Sequence, residues 1–310
     1  MNLNSGATAG EGLAYIDGQY CSLSDAKISV LDPGLTHSDA VYDVTSTWQG
    51  KFFRLDEHVA RFEASCRGVQ LECLYAAADL KRILATCVHR GGVANAAYVA
   101  CVATRGKYAN KEAEAKRDIF QARPTFIAYA LPYKWIADPP AQERGMHLIV
   151  SKTPRIPDEC VDSRFKNYHW GDLTRGKFEA RAAGADGAIH LSVEGHLTEG
   201  AGFNLFFVKA GRLFTPARNV LRGITRQSVL DLAAELGLPA VVGDFGAQAL
   251  READEAFVTS TAGGIMPVVK IDAHSFNGGK PGPLSVGLRD TYWRKREEGW
   301  LSTPVSSLLE

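Results

Sequence analysis

Residues 41–66 read VYDVTSTWQGKFFRLDEHVARFEASC, and the hydrophobic period changes partway through them. The runs 41–48 and 51–53 flank Gln49-Gly50, a pair placed to turn a β-hairpin. Beyond it Leu55, Val59, Phe62 and Cys66 fall at i, i+4, i+7 and i+11, along one face of a helix. A hairpin that runs into an amphipathic helix predicts an α+β chain. Upstream, Tyr15-Ile16 and Gln19-Tyr20 flank Asp17-Gly18, a dipeptide suited to the positive φ angles of a type I′ turn. Downstream, Leu80, Ile83, Leu84, Cys87 and Val88 make a second helical stripe, closed by Gly91-Gly92. Two β-rich runs follow at 97–104 and 124–133, separated by the polar loop 107–116.

A chain of 310 residues exceeds one compact core, so two domains are expected. The Pro-containing stretch 131–142 reads as the connection. The expected boundaries are 1–134 for a smaller N-terminal domain, 135–143 for the linker and 144–310 for a larger C-terminal domain. In the second domain the pattern predicts a strand at 147–152 and a helix at 172–183. Four strands should follow at 187–192, 196–199, 203–208 and 212–215, with turns at Glu194-Gly195 and Ala210-Gly211. A helix at 227–236, a short strand at 256–260, a Gly-rich turn and a helix at 285–295 complete it.

Lys plus Arg and Asp plus Glu number 35 each, so the formal charge is zero and a nucleic-acid or anionic-membrane binder is not expected. Hydrophobic residues at 45% with 23% charged exclude a disordered chain. No apolar run approaches the ~18 residues of a membrane span. The opening MNLNSGATAGEG has neither a basic flank nor an apolar stretch, so no leader is expected. Six cysteines, at 21, 66, 73, 87, 101 and 160, are scattered without a CxxC pair, which predicts a reduced, cytoplasmic protein. There is no GxGxxG after a strand, no GxxxxGK[ST], no HExxH and no GxSxG. The eight histidines lack metal-ligand spacing, so no metal is expected.

Two segments could cradle a phosphate. Gly223-Ile224-Thr225 precedes the 227–236 helix, whose free N–H groups and positive dipole end suit an anion. Thr259-Ser260-Thr261-Ala262-Gly263-Gly264 sets hydroxyls beside glycines. Alone, each reads as an ordinary cap or turn; together, without nucleotide motifs, they point to a phosphorylated cofactor. Lys166, in Arg164-Phe165-Lys166-Asn167-Tyr168-His169-Trp170, has aromatic neighbours that could desolvate it and lower its pKa, as a Schiff-base lysine requires. It could also simply snorkel over an apolar patch. Glu199 ends a strand before a glycine-flanked turn, where a carboxylate is either solvated or holds a pyridinium nitrogen protonated.

Five separated segments then carry a resemblance. Leu31-Asp32-Pro33-Gly34, Arg54-Leu55-Asp56-Glu57-His58 with Arg61, Lys166-Asn167, Thr198-Glu199-Gly200 with Asn204, and Gly223-Ile224-Thr225 together resemble fold-type IV pyridoxal-phosphate transaminases. That group includes branched-chain and D-amino-acid aminotransferases and aminodeoxychorismate lyase; the likeness runs from about residue 13 to about residue 300. Within it the chain is most similar to (R)-selective amine:pyruvate transaminases. The segments that say so are Thr36-His37-Ser38-Asp39 with Tyr42-Asp43-Val44, Asn167-Tyr168-His169-Trp170-Gly171-Asp172-Leu173, and Thr261-Ala262-Gly263-Gly264-Ile265-Met266-Pro267.

The resemblance implies a two-domain fold with a smaller α/β domain and a larger β-barrel-like domain. It also implies a homodimer whose pockets each borrow a loop from the neighbour. Lys166 resembles the lysine that joins the coenzyme aldehyde and later moves the substrate proton. Glu199 resembles the partner of the pyridine nitrogen, with Phe203 and Asn204 beside it. Arg54, Thr225 and Thr261 resemble phosphate ligands, with the Ile224 amide assisting; without the resemblance, Arg54 reads as pairing with Asp56 or Glu57. The substrate pocket would draw on His37, Tyr42, Val44, Tyr98, Trp170 and Ala262. An arginine on a mobile loop would meet the keto-acid carboxylate, with Arg117 the first candidate and Arg105 the second. Tyr98 departs from the phenylalanine usual in those amine transaminases. The implied activity moves an amino group from an (R)-amine to pyruvate. D-amino-acid or branched-chain transamination is the alternative, and aminodeoxychorismate lyase a more distant one.

Overall fold

The computed structural model describes residues 10–309; the first nine residues of the stretch read for a leader lie outside them. The chain divides into two units. The first takes residues up to Lys134, Phe165–Tyr168 and residues from Arg296 onward; the second takes Trp135–Arg164 and His169–Lys295.

The first unit opens with β1 (Leu13–Ile16) and β2 (Gln19–Cys21), then α1 (Pro33–Thr36), β3 (Ala40–Trp48) and β4 (Lys51–Phe53). Helices α2 (Leu55–Gly68) and α3 (Ala77–Arg90) follow, then β5 (Ala96–Tyr108), α4 (Lys111–Lys116) and β6 (Ala122–Pro132). Both predicted hairpins form, and their turns use left-handed pairs: Asp17 at φ 47° with Gly18 at 87°, and Gln49 at 49° with Gly50 at 73°. The antiparallel sheet runs β4–β3–β5–β6–β1–β2, and Ser302–Pro304 adds a strand outside β4. Strands alternate their side chains, so the two faces differ. Val41, Val99, Cys101, Ala103, Phe126, Ala128 and Ala130 face α2 and α3, packing with Leu55, Val59, Phe62, Leu80 and Leu84 in one core. Truncating the fully buried Phe62 to Ala would cost about 3–5 kcal/mol. The other face carries Tyr42, Val44, Tyr98, Ala100 and Tyr129, because Val44 pairs Ala100, Ala100 pairs Tyr129, and Ser46 pairs Tyr98.

Two departures from the sequence reading have identifiable causes. Part of the 107–116 loop is α4, capped by the Asn110 side chain accepting from Ala113 N. The last residues join the first unit, not the C-terminal one, because Ser302–Pro304 pairs the edge of the three-residue β4.

The second unit begins with α5 (Pro139–Arg144), inside the stretch expected to be a bare linker. Asp138 caps it and Pro139 occupies the first turn, so the prolines start a helix instead of forbidding one. Then come β7 (Met146–Val150), α6 (Gly171–Ala182), β8 (Gly187–Leu191), β9 (Leu197–Gly200), β10 (Phe203–Lys209) and β11 (Arg212–Pro216). They are followed by α7 (Ile224–Glu235), β12 (Ala240–Gly243), β13 (Glu255–Ser260), β14 (Gly264–Ile271), β15 (His274–Ser275) and α8 (Pro283–Glu297). Pairing runs β10–β13–β14–β7–β8–β9 and returns from β9 to β10, closing a barrel-like ring. Met146, Leu148, Ile189, Leu205, Phe207, Val258, Met266 and Val268 share its core. The ring depends on β14, a strand absent from the sequence reading: it starts at Gly264 in the Gly-rich turn and contains Pro267, features that argue against a strand.

Candidate active site

Each unit holds its own share of the predicted residues. In the first, Lys166 lies in Phe165–Tyr168, a short segment laid against β3. Tyr42 N–H donates to Lys166 O at 2.9 Å, and Asn167 forms a bridge with Val41. Lys166 Nζ sits 4.4 Å from the centroid of the Tyr42 ring, which stacks on Tyr168 at 4.2 Å. Val44 and Tyr98 occupy the same sheet face as Tyr42, so the fold brings four predicted residues together. Tyr129, which sequence reasoning missed, joins them: its ring stacks on Tyr98 at 6.5 Å. Its strand position, one face of an alternating run, was the available signal. Burial, with neighbouring phenols adding, pushes the Tyr98, Tyr129 and Tyr168 hydroxyls above the usual phenol range, so this face is aromatic and uncharged.

Directly behind that face Asp43 points toward α2. It accepts from His58 Nδ1 at 2.7 Å and from Arg61 Nε and Nη2 at 2.7 and 2.9 Å. Burial opposes its ionisation, but the Arg61 charge and the His58 hydrogen bond outweigh it and hold the carboxyl well below the usual range. Burial pushes His58 down despite Asp43, leaving a neutral imidazole that donates through Nδ1.

Arg54 adopts a left-handed conformation at φ 50° where β4 enters α2, and its Nε donates to Glu57 at 2.8 Å. The pairing that competed with the phosphate reading is therefore present. His37 is exposed at the end of α1, 2.9 Å from Thr36 Oγ1. Arg117 is exposed too, closing α4 at φ 51°. Arg105 is tied down: it donates to both Asp39 oxygens at 2.7 and 2.9 Å, to Gln70 O at 2.7 Å and to Val69 O at 3.0 Å.

In the second unit Glu199 lies in β9, one residue before its end, buried on the barrel ring. One oxygen accepts from Arg155 Nη2 at 3.1 Å; the other accepts from Leu221 N at 2.9 Å and Asn204 Nδ2 at 3.2 Å. Arg155 also contacts the buried Asp172. Burial works against Asp172, yet the Arg155 charge and the Ile156 and Leu173 amides prevail and hold it low. Arg155 was missed because it lies between Pro154 and Pro157, outside any periodic element. The Phe203 ring packs into the barrel core over Gly200, so contact of residue 203 with a coenzyme would run through its backbone.

Asn204 also ties Glu199 to the start of α7, donating to Leu221 O at 2.9 Å. A Cβ on Gly223 would fall 2.0 Å from Asn204 Oδ1, so only glycine fits there. The α7 N-terminus has no side-chain cap, and Ile224 and Thr225 are both buried in its first turn. Beside Asn204 in register, Thr259 keeps a buried hydroxyl without a partner among the described residues. An uncapped helix start, a buried threonine and an orphaned hydroxyl next to a buried carboxylate fit a phosphorylated, pyridinium-bearing coenzyme. The Thr261–Gly264 turn is held from the former linker: Ile136 N donates to Ala262 O at 2.7 Å, and Gln142 Nε2 donates to Gly263 O at 3.1 Å. Trp170 precedes α6 with its ring toward Gly202. No cluster of metal-ligating side chains occurs among the described residues.

The profile of the family described as "Amino-transferase class IV" matches residues 40–271. A putative branched-chain-amino-acid aminotransferase of Methanocaldococcus jannaschii is 29% identical over 280 residues, 90% of this chain and 94% of that protein. A D-alanine aminotransferase of Listeria monocytogenes is 30% identical over 277 residues, 86% of this chain and 90% of that protein. The branched-chain amino acid aminotransferase of Thermobaculum terrenum, solved in its PLP-bound holo form, superposes with TM-score 0.84 at 25% identity, covering 96% of this chain and 99% of that one. The chain thus belongs to the class IV aminotransferases and is an enzyme dependent on pyridoxal 5'-phosphate.

Proposed function

We propose that this aminotransferase moves the amino group of an (R)-configured primary amine to pyruvate, yielding a ketone and alanine in two half-reactions. The observation that supports this reading is the uncharged aromatic face of Tyr42, Tyr98, Tyr129 and Tyr168 around Lys166, combined with an Arg105 held by four hydrogen bonds. An amine donor brings no carboxylate and needs no fixed cation, whereas apolar surface suits its hydrocarbon group.

When bound, pyridoxal 5'-phosphate supplies an electron sink that acidifies the donor's C–H bond. Lys166 would hold the coenzyme through Nζ, and its free amine would carry the substrate proton at that nitrogen. Glu199, held by Arg155, Asn204 and the Leu221 amide, offers a fixed negative charge to the ring nitrogen. The Ile224 and Thr225 amides, the Thr225 and Thr261 hydroxyls and Arg54 would hold the phosphate. Substrate contacts come from His37, Tyr42, Val44, Tyr98, Trp170 and Ala262. Arg117, on an exposed left-handed position, meets the pyruvate carboxylate.

The working form is a homodimer. Val30, 74% exposed, and Leu31 and Leu35 near it, with Phe120 at 93%, are large apolar side chains that a second copy would cover. All six cysteines are free, in keeping with a reducing cytoplasmic setting. Among the described residues no helix is long and apolar enough to cross a membrane.

Transamination of D- or branched-chain α-amino acids is the second reading, favoured by what the relatives are called. The deciding assay supplies (R)-1-phenylethylamine with pyruvate, then D-alanine or leucine with 2-oxoglutarate. Turnover confined to the amino-acid pairs would overturn the amine reading. Pyruvate release without any acceptor would instead mark a lyase.

A further inference from the structure

We propose that Ser65 and Gly68, in the last turn of α2, are positioning residues for Lys166. The inference rests on the reading of Lys166 as the coenzyme-bearing lysine.

Phe165–Tyr168 belongs to no helix or strand, so its backbone must be held from outside. The carbonyl of Lys166 is taken by the Tyr42 amide of β3, and its N–H donates to Ser65 Oγ at 3.0 Å. Ser65 is fully buried, and its hydroxyl proton goes to Arg61 O at 2.9 Å. One oxygen thereby joins α2 to the lysine and is directed by the donor bond it makes. Three residues on, a Cβ at Gly68 would lie 2.3–2.4 Å from three carbons of the Phe165 ring. The missing side chain is what lets the residue before the lysine seat against the helix. Neither residue can touch a substrate through such contacts; both act by fixing where the Lys166 Cα stands.

That matters because a lysine has a long flexible stem, and its amine reaches a productive position only if the stem starts from the right place. The helix is fixed in turn. Arg61 and His58, one and two turns before Ser65, clamp Asp43, the β3 residue next to Tyr42. The lysine is therefore set between two elements already pinned together by a buried ion cluster, a supporting shell of the kind reactive groups need.

The test uses Ser65→Ala, Ser65→Thr and Gly68→Ala in the full chain. Hydrogen exchange on the coenzyme-free protein should be about three- to tenfold faster in peptides spanning residues 165–167 for Ser65→Ala. In holoenzyme, the visible absorbance of the lysine-bound coenzyme should titrate at a displaced midpoint. Ser65→Thr, which keeps the acceptor oxygen, should restore both. Gly68→Ala leaves every hydrogen bond in place and should change exchange in the same direction. Wild-type exchange at 165–167 in both Ser65→Ala and Gly68→Ala would overturn the proposal, as would Ser65→Ala and Ser65→Thr altered alike. Borohydride reduction of wild-type holoenzyme with peptide mapping tests the parent reading separately: a label away from Lys166 sinks that reading whatever the exchange data show.

Discussion

Replacing Arg155 by Met should expose how much of the second unit hangs on one guanidinium. The side chain is 9% exposed and faces two carboxylates, Asp172 and Glu199. Removing one partner of a buried ion pair costs about 3–5 kcal/mol, because the surviving charge is left in a poor solvent. Asp172 would keep the Ile156 and Leu173 amides, and Glu199 would keep Asn204 and the Leu221 amide, so the low end, about 3 kcal/mol, applies. At about 2–4 °C per kcal/mol, the midpoint should fall by about 6–12 °C at pH 7 by calorimetry on coenzyme-free protein. The pH dependence carries a sign. Asp172 has a folded pKa below its unfolded value, so its contribution is present above roughly pH 4 and fades as pH drops through the folded pKa. The gap between wild type and variant should therefore narrow in acid. Arg155→Lys should recover part of the loss, since it restores charge without the fork. A drop under about 2 °C at pH 7, or a gap that stays constant into acid, would refute the ion-pair argument.

Three further outcomes follow from contacts described above. Gly223→Ala drives a methyl group onto Asn204 Oδ1 and should weaken pyridoxal 5'-phosphate binding at least about tenfold by fluorescence titration; unchanged affinity would detach this turn from the phosphate. Arg117→Ala should raise the KM for pyruvate about tenfold and leave the amine KM within about twofold; steady-state kinetics with both substrates varied checks it, and equal effects on both would remove Arg117 from acceptor binding. The Cys66 hydrogen bond lowers Cys73 to about 7 although burial opposes it, whereas Cys66 and Cys101 are pushed up. Iodoacetamide at pH 8 should thus modify Cys73 before Cys66 or Cys101, increasingly so as pH rises through 7, as read by mass spectrometry; earlier labelling of either buried thiol would contradict this.

Much of the first unit was legible because its signals are local. Asp17-Gly18 and Gln49-Gly50 demand left-handed turns, and the Leu55–Cys66 stripe has one period, so both hairpins and α2 follow from neighbours in sequence. What failed was non-local. β14 holds Pro267 and begins in a glycine turn, so its strand state comes from β13 on one side and β7 on the other, not from its own residues. Ser302–Pro304 is a strand only because β4 offers an edge. Within the candidate site, Lys166 and Glu199 stood out by their neighbours, but Ser65, Tyr129 and Arg155 gain their roles through partners 101, 31 and 44 positions away. Ser65 looked like any helical serine, and nothing in its own segment marks the difference.

The strand at Ser302–Pro304 has a consequence for biosynthesis. A nascent chain leaving the ribosome can assemble β1 to β6 early, yet the outer neighbour of β4 is translated only after the second unit, and the lysine segment at 165–168 arrives midway. The first unit therefore cannot finish until the second has been translated, and a stop codon placed shortly before position 302 would release a polypeptide with an open β4 edge, prone to sticking to its siblings.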